Sequence, residues 1–132
     1  MDYIVYKRFK DKAICGNVNL PVNTNCQLRD NMLFYNDKPL CLVTSYSSEQ
    51  HFARNDDGQG LLRGKMTQAI IKKLSKRDND YQTRWNKVWS DFCCNKYKRV
   101  EHTDYWLWNN QFYSAPIEDL KYIMKLIGLK EI

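Results

Sequence analysis

Residues 51–65, HFARNDDGQGLLRGK, bring together most of the side-chain types from which a phosphate, metal or catalytic site is built. A nucleotide-hydrolase phosphate loop needs a glycine five residues before Gly64-Lys65 and a hydroxyl after them, but Gln59 and Met66 stand at these positions. An EF-hand calcium loop aligned on the same glycines would need a glutamate where Met66 stands. Neither motif is therefore predicted.

A looser anion site at the same loop is physically sound. Gly58 and Gly60 precede a predicted helix whose first turns carry Arg63 and Lys65, and the free N–H groups of a helix start attract anions. Arg54 can add a bidentate contact to a phosphate. The loop is therefore a predicted ligand-binding site.

Asp56 and Asp57 oppose this interpretation, because two carboxylates beside a phosphate would repel it. They can instead cap the helix, hold a divalent ion or pair with Arg54. In the simplest alternative, residues 55–58 form only the bend that joins a sheet to a helix. The sequence leaves both interpretations open.

The two histidines, His51 and His102, each have acidic and basic neighbours in the sequence. If the fold brings them together, they are candidates for a catalytic pair in phosphoester cleavage. The chain has no H-x-T/S repeat and no H-E-x-x-H motif to support such a site. No metal ligand set and no cofactor are predicted.

Residues 96–113 interleave cations with aromatic side chains. Arg99 is predicted to contact phosphate, while Tyr97, Trp106 and Trp108 are predicted to stack on bases. Alternatively, these aromatic side chains point into the core or form a protein interface. This segment is the second predicted ligand-binding site.

The positive charge is concentrated in one part of the chain. The net charge is +6, yet residues 60–99 hold eleven Lys or Arg against three Asp, while the seven basic and seven acidic residues of 1–59 cancel. A localised basic region is the electrostatic mark of a polyanionic partner. A solvated, lysine-rich helical face is the alternative.

The cysteines and the hydropathy pattern indicate a cytoplasmic protein. Five cysteines are an odd number and include no C-x-x-C pair, which is typical of reduced thiols. No apolar run reaches the roughly 18 residues of a membrane span, and the charged N-terminus is unlike a signal peptide. A membrane partner is therefore not predicted.

The predicted elements change from strands to helices along the chain. Strands are predicted at 3–9 and 12–20, and a hairpin at 31–46 with its turn at 36–38. Helical spacing of apolar residues follows at 61–77 and 81–92. A last helix is predicted with Pro116 in its first turn and Gly128 as its stop. Its predicted buried stripe consists of Ile117, Leu120, Ile123, Met124 and Ile127.

This order indicates an α+β fold, in which a small N-terminal antiparallel sheet, curled or forming a partial barrel, is followed by three helices packed on it. At 132 residues, the chain is predicted to be a single domain, mainly β over 1–50 and mainly α over 60–132.

Three stretches are informative together: YIVYKRFKDKAICGNVNLP, QHFARNDDGQGLLRGK and KYKRVEHTDYWLWN. They resemble a group of small uncharacterised proteins encoded by phages and prophages of Gram-positive bacteria. The resemblance covers nearly the whole chain and implies the cytoplasm of a bacterial host, but it assigns no functional residues. Small phage accessory proteins often act by binding a host factor or a nucleotide signal.

These features predict a non-enzymatic accessory protein that sequesters or occludes a polyanionic ligand, either nucleic acid or a nucleotide signal. One alternative is an anti-defence, anti-CRISPR-like inhibitor that binds a host protein. A small phosphodiesterase or nuclease that uses His51 and His102 is the other.

Overall fold

A computed structural model of the protein describes residues 2–11, 18–88, 90 and 112–130. An N-terminal antiparallel sheet is followed by helices, which confirms the predicted α+β fold class. The chain forms two compact units, Met1–Gly64 and Lys65–Ile132, and a single domain over 1–132 remains a prediction. None of the described helices has the length and apolar character that crossing a bilayer requires.

The described residues of the first unit include seven short strands. In chain order they are β1 (Asp2–Val5), β2 (Phe9–Asp11), β3 (Val18–Leu20), β4 (Asn25–Arg29), β5 (Met32–Tyr35), β6 (Lys38–Leu42) and β7 (Phe52–Arg54). Five of these strands form an open antiparallel sheet in the order β6-β5-β4-β1-β7, and β2 pairs with β3 in a separate two-stranded sheet. The buried side of the first unit consists mainly of β-branched and aromatic residues, as strand propensity requires.

A tight turn joins β5 to β6. Asn36 and Asp37 have φ angles of +47° and +65°, and two successive positive φ angles are typical of the hairpin turns that match the twist of a sheet. Tyr35 pairs with Lys38 across this turn. The hairpin predicted at 31–46 is therefore confirmed in its first strand and in the place of its turn. Its second strand was predicted too long: β6 begins at Lys38, which was assigned to the turn, and ends at Leu42.

The strand predicted over residues 3–9 is wrong, because two strands occupy this range. β1 ends at Val5, and the backbone N–H groups of Tyr6 and Lys7 both donate to the His51 carbonyl, at 2.9 and 3.4 Å. Because both N–H groups bond to one carbonyl, regular strand pairing ends here, and β2 begins only at Phe9.

The helices are α1 (Tyr46–His51), α2 (Gly60–Leu74), α3 (Tyr81–Lys87) and α4 (Ile117–Leu126). α2, α3 and α4 correspond to the three predicted helices, whose packing on the sheet remains a prediction. α1 was not predicted. It begins where the Ser45 hydroxyl accepts a hydrogen bond from the Ser48 N–H at 3.1 Å, an N-cap of the usual kind.

The apolar stripe of α4 is buried at all five predicted positions, which are Ile117, Leu120, Ile123, Met124 and Ile127. Gly128 follows the helix with a φ angle of +78°. A residue with positive φ at this position is the common C-terminal stop of a helix, so the predicted end of α4 is confirmed.

Candidate functional site

The loop between β7 and α2 is a capped turn held by its own side chains. The Asn55 N–H donates to the Asp2 carbonyl at 2.8 Å, and the Gly58 N–H donates to the Asn55 carbonyl at 3.0 Å. The Asn55 side-chain oxygen accepts from the Gly60 N–H, the first of α2, at 2.7 Å. The first N–H group of α2 therefore already has an acceptor within the loop.

Arg63 is the most buried charge of this loop, with 0% of its surface exposed. Its two terminal nitrogens donate to the Asp57 carboxylate oxygens at 3.1 and 2.5 Å, and Nη1 also donates to the Arg54 carbonyl. The Asp57 carboxylate accepts in addition from the Gln59 N–H at 3.0 Å. A bidentate, charge-assisted pair of this kind is geometrically specific, and it fixes the loop against α2.

Asp56 lies beside the other arginine of the loop. Its Oδ1 is 3.1 Å from Arg54 Nε, an ion-pair distance, although the two atoms lack hydrogen-bond geometry. The two aspartates thus balance the two arginines. The anion-binding roles of Arg54 and Arg63 remain predictions that these contacts do not favour, because each arginine already has a carboxylate beside it and the Gly60 N–H already has an acceptor. Lys65 is exposed on α2.

Acidification is expected to weaken the fold through Asp57. Hydrogen bonds from Arg63 lower the pKa of Asp57 from 3.8 to about 2. A carboxylate with a lowered pKa stabilises the fold fully above its unfolded pKa and loses that contribution as the pH falls through its folded pKa. The shift corresponds to roughly 2.5 kcal/mol, which solvent screening at a carboxylate that is 37% exposed reduces to about 1 kcal/mol.

Urea unfolding at about pH 5 and about pH 2.5 tests this expectation, since the unfolded pKa of 3.8 lies between the two values and most of the contribution is lost over this range. The native protein should lose more stability between them than Asp57→Asn does. An identical pH dependence of the two proteins would contradict it.

His51 is anchored within the first unit. Its Nδ1 lies 3.2 Å from the Lys7 carbonyl oxygen, which favours the tautomer with the proton on Nδ1. The ring packs edge-on against Phe9 with 5.3 Å between the centroids. His102 lies outside the described residues, so a catalytic pair of the two histidines remains a prediction.

The four aromatic and basic residues predicted to contact a ligand near the end of the chain also lie outside the described residues. They are Tyr97, Arg99, Trp106 and Trp108. Within the part of the chain that the structure describes, no three His, Cys, Asp or Glu side chains are grouped to hold a metal ion.

The arginine–aspartate arrangement of the loop occurs a second time, before α3. Asp78 precedes Arg84 by six residues, as Asp57 precedes Arg63. Arg84 Nη1 donates to the two Asp78 carboxylate oxygens at 2.8 and 3.2 Å, and Nη2 donates to the Lys76 carbonyl at 2.6 Å. In this chain, a loop aspartate thus pairs twice with an arginine that lies six residues later in the following helix.

The two arginines differ in one respect. No nitrogen of Arg63 is both buried and without a partner, whereas Nε of Arg84 is. Arg84 as a whole is only 6% exposed. A buried donor without an acceptor is costly, and Arg84 lies at the edge of a cleft from which an acceptor could come.

A cleft of about 460 Å³ lies beside Arg84 in the unit Lys65–Ile132, and we name it the basic cleft. Its polar lining consists of Lys73, Asp80, Thr83, Arg84, Lys87 and Lys125. Four cations thus face one carboxylate of the lining, and Asp78 behind the wall pairs with Arg84. The basic segment is visible in the sequence, but this site is not, because Lys125 lies in a different helix, far along the chain.

The C-terminal end of α4 also lines the basic cleft, and exposed carbonyl groups there would repel an anion. The fold satisfies several of them. The Met124 carbonyl accepts from the Leu129 N–H at 2.8 Å, and the Lys125 carbonyl accepts from the Gly128 N–H at 3.3 Å. The negative end of this helix is therefore partly neutralised beside the lysines.

A second cleft of about 450 Å³ adjoins the first. We name it the tyrosine cleft, because Tyr122 lines it together with Lys87, Lys125 and Leu126. The last three residues line the basic cleft as well. The two clefts are therefore adjacent and share part of their lining.

No protein-family model matches the chain, and no curated protein or solved structure is significantly similar to it. The function is accordingly inferred from the chemistry of these side chains.

Proposed function

We propose that this protein binds a phosphate-bearing polyanion, either nucleic acid or a nucleotide, and acts by sequestering or occluding it rather than by turnover. The observation that carries the proposal is the convergence of Lys73, Arg84, Lys87 and Lys125 on the basic cleft. Phosphate oxygens are the usual partners of such converging cations.

The lysines of the basic cleft are available to a ligand. None of Lys73, Lys87 and Lys125 forms an ion pair with another described residue. Lys87 and Lys125 are exposed and Lys73 is half-buried. Cations that lack a carboxylate partner within a cleft raise the local concentration of anions.

The loop at 54–65, by contrast, lends little support to ligand binding, since its arginines are neutralised internally. The phosphodiesterase alternative depends on a free His51, and the contacts of His51 with Lys7 and Phe9 do not favour it. The resemblance to phage-encoded proteins remains a prediction, and it is compatible with sequestration.

A charge-reversal experiment tests the proposal. A variant with Lys73→Glu, Lys87→Glu and Lys125→Glu is expected to bind a labelled single-stranded oligonucleotide of about 20 nucleotides at least tenfold more weakly than the native protein. The slope of log affinity against log salt should fall by about 2, because three phosphate contacts are lost. Fluorescence anisotropy over a salt titration measures both quantities.

The matched control reverses three exposed lysines that do not line the basic cleft, Lys10, Lys72 and Lys121. It changes the net charge equally, so it should retain most of the affinity. Equal losses in the two triple variants, or an unchanged affinity of the cleft variant, would overturn the proposal. Failure of the native protein to bind any oligonucleotide or nucleotide, with capture of a host protein instead, would favour the inhibitor alternative.

A further inference from the structure

We infer that the ligand is a nucleotide whose phosphate end lies in the basic cleft and whose base stacks on Tyr122 in the tyrosine cleft. This inference rests on the proposed function and narrows it to one class of ligand. It follows from the lining residues that the two adjacent clefts share and from the different chemistry of the two clefts.

The dimensions fit a small phosphorylated ligand. Cavities of about 460 and 450 Å³ fall within the range of small-molecule sites, which is roughly 300–1,000 Å³. Lys87 and Lys125 line both cavities. In a nucleotide bound across the two clefts, they would therefore lie beside the bond between the phosphate and the sugar, where a cation attracts the phosphate charge.

The phosphate end is defined by Arg84. Its Nη1 and Nη2 atoms are held by Asp78 and by the Lys76 carbonyl, so the guanidinium group is fixed before any ligand arrives. A fixed charge loses little conformational freedom on binding. Its Nε–H group is buried without an acceptor. A phosphate oxygen that enters the basic cleft beside Thr83 would accept a hydrogen bond from this group after a small shift of the lining side chains.

The base end is defined by α4. Tyr122, Lys125 and Leu126 are spaced at i, i+3 and i+4, which places them on one face of this helix. Tyr122 is 38% exposed, so part of its side chain lies at the surface of the tyrosine cleft. An aromatic ring beside cations is the combination that holds a base and its phosphate together.

Binding measurements with whole and partial ligands test the inference. The probes are the four common ribonucleoside triphosphates, their nucleosides, and tripolyphosphate, titrated into the full chain by calorimetry. At least one triphosphate is expected to bind about tenfold more tightly than tripolyphosphate, because stacking adds to the charge interaction. Tyr122→Leu should remove this difference without weakening tripolyphosphate, and Tyr122→Phe should retain it. Lys87→Ala should weaken both ligands, whereas the control Lys121→Ala should weaken neither.

The outcomes separate this inference from the proposed function. If no triphosphate binds more tightly than tripolyphosphate, or if Tyr122→Leu leaves a correctly folded protein with its full preference, the inference is wrong. Oligonucleotide binding that depends on the cleft lysines would then still support the proposed function. If neither triphosphates nor oligonucleotides bind, both are wrong.

Discussion

Replacing Asp57 by alanine is expected to lower the free energy of unfolding by about 3 kcal/mol, because it leaves a buried charge without its partner. Arg63 is 0% exposed, and two of its nitrogens donate to the Asp57 carboxylate. The Arg54 carbonyl would still accept a hydrogen bond from Nη1. Urea unfolding at neutral pH, followed by far-ultraviolet circular dichroism, measures the loss.

Asp56→Ala is the matched control, one position away. Asp56 is 45% exposed, and its contact with Arg54 lacks hydrogen-bond geometry, so its removal should cost less than about 1 kcal/mol. Adding Arg63→Met to Asp57→Ala should recover part of the stability, since an apolar side chain of similar length needs no partner. Equal effects of the two aspartate variants would show that the Arg63–Asp57 pair does not hold the loop.

The parts of the fold that could be predicted are those in which local chemistry and tertiary packing agree. Asn36-Asp37 favours a tight turn by itself, and the flanking strands confirm it. In α4, five apolar residues at helical spacing and a terminal Gly128 specify both the buried face and the end of the helix. Each of these local patterns predicts its element without knowledge of the rest of the chain.

The elements that were missed are short and depend on neighbours distant in sequence. β4 (Asn25–Arg29) alternates weakly, with Cys26 as its buried side chain, and it exists as a strand because β1 and β5 pair with it on both sides. β7 is three residues long and pairs with β1. Segments this short carry too few residues for a period to be recognised.

The arginines show why the candidate site was only partly predictable. An arginine next to glycines suggests a phosphate contact, yet Arg63 serves the fold because Asp57 reaches it across a turn. Asp78 and Arg84 repeat that spacing, so the repetition was visible in the sequence, but its meaning required the turn geometry. Convergence of Lys73 and Lys125 in one cleft is a tertiary property that no local pattern reveals.

For the substitution Gly64→Ala, helix propensity and the structure predict changes of opposite sign in the free energy of unfolding. By helix propensity alone, Gly64→Ala in α2 should stabilise the protein by about 1 kcal/mol. The structure instead places the Tyr6 ring against this position: an added Cβ would come within 2.6 Å of both Cδ1 and Cδ2 of the ring. Overpacking of this severity costs about 3 kcal/mol, so the net expectation is a loss of about 2 kcal/mol in urea unfolding.

A double-mutant cycle with Tyr6 identifies the cause. In a Tyr6→Ala background the ring is absent, so Gly64→Ala should become neutral or stabilise by up to about 1 kcal/mol. In a Tyr6→Phe background the ring remains and only the hydrogen bond from the hydroxyl to the Glu49 carbonyl is removed, so the full penalty of Gly64→Ala should persist. If Gly64→Ala stabilises the native background, close approach of α2 to Tyr6 is not the reason for glycine here, and propensity prevails. A loss that persists after Tyr6→Ala would instead assign the requirement for glycine to the backbone of α2.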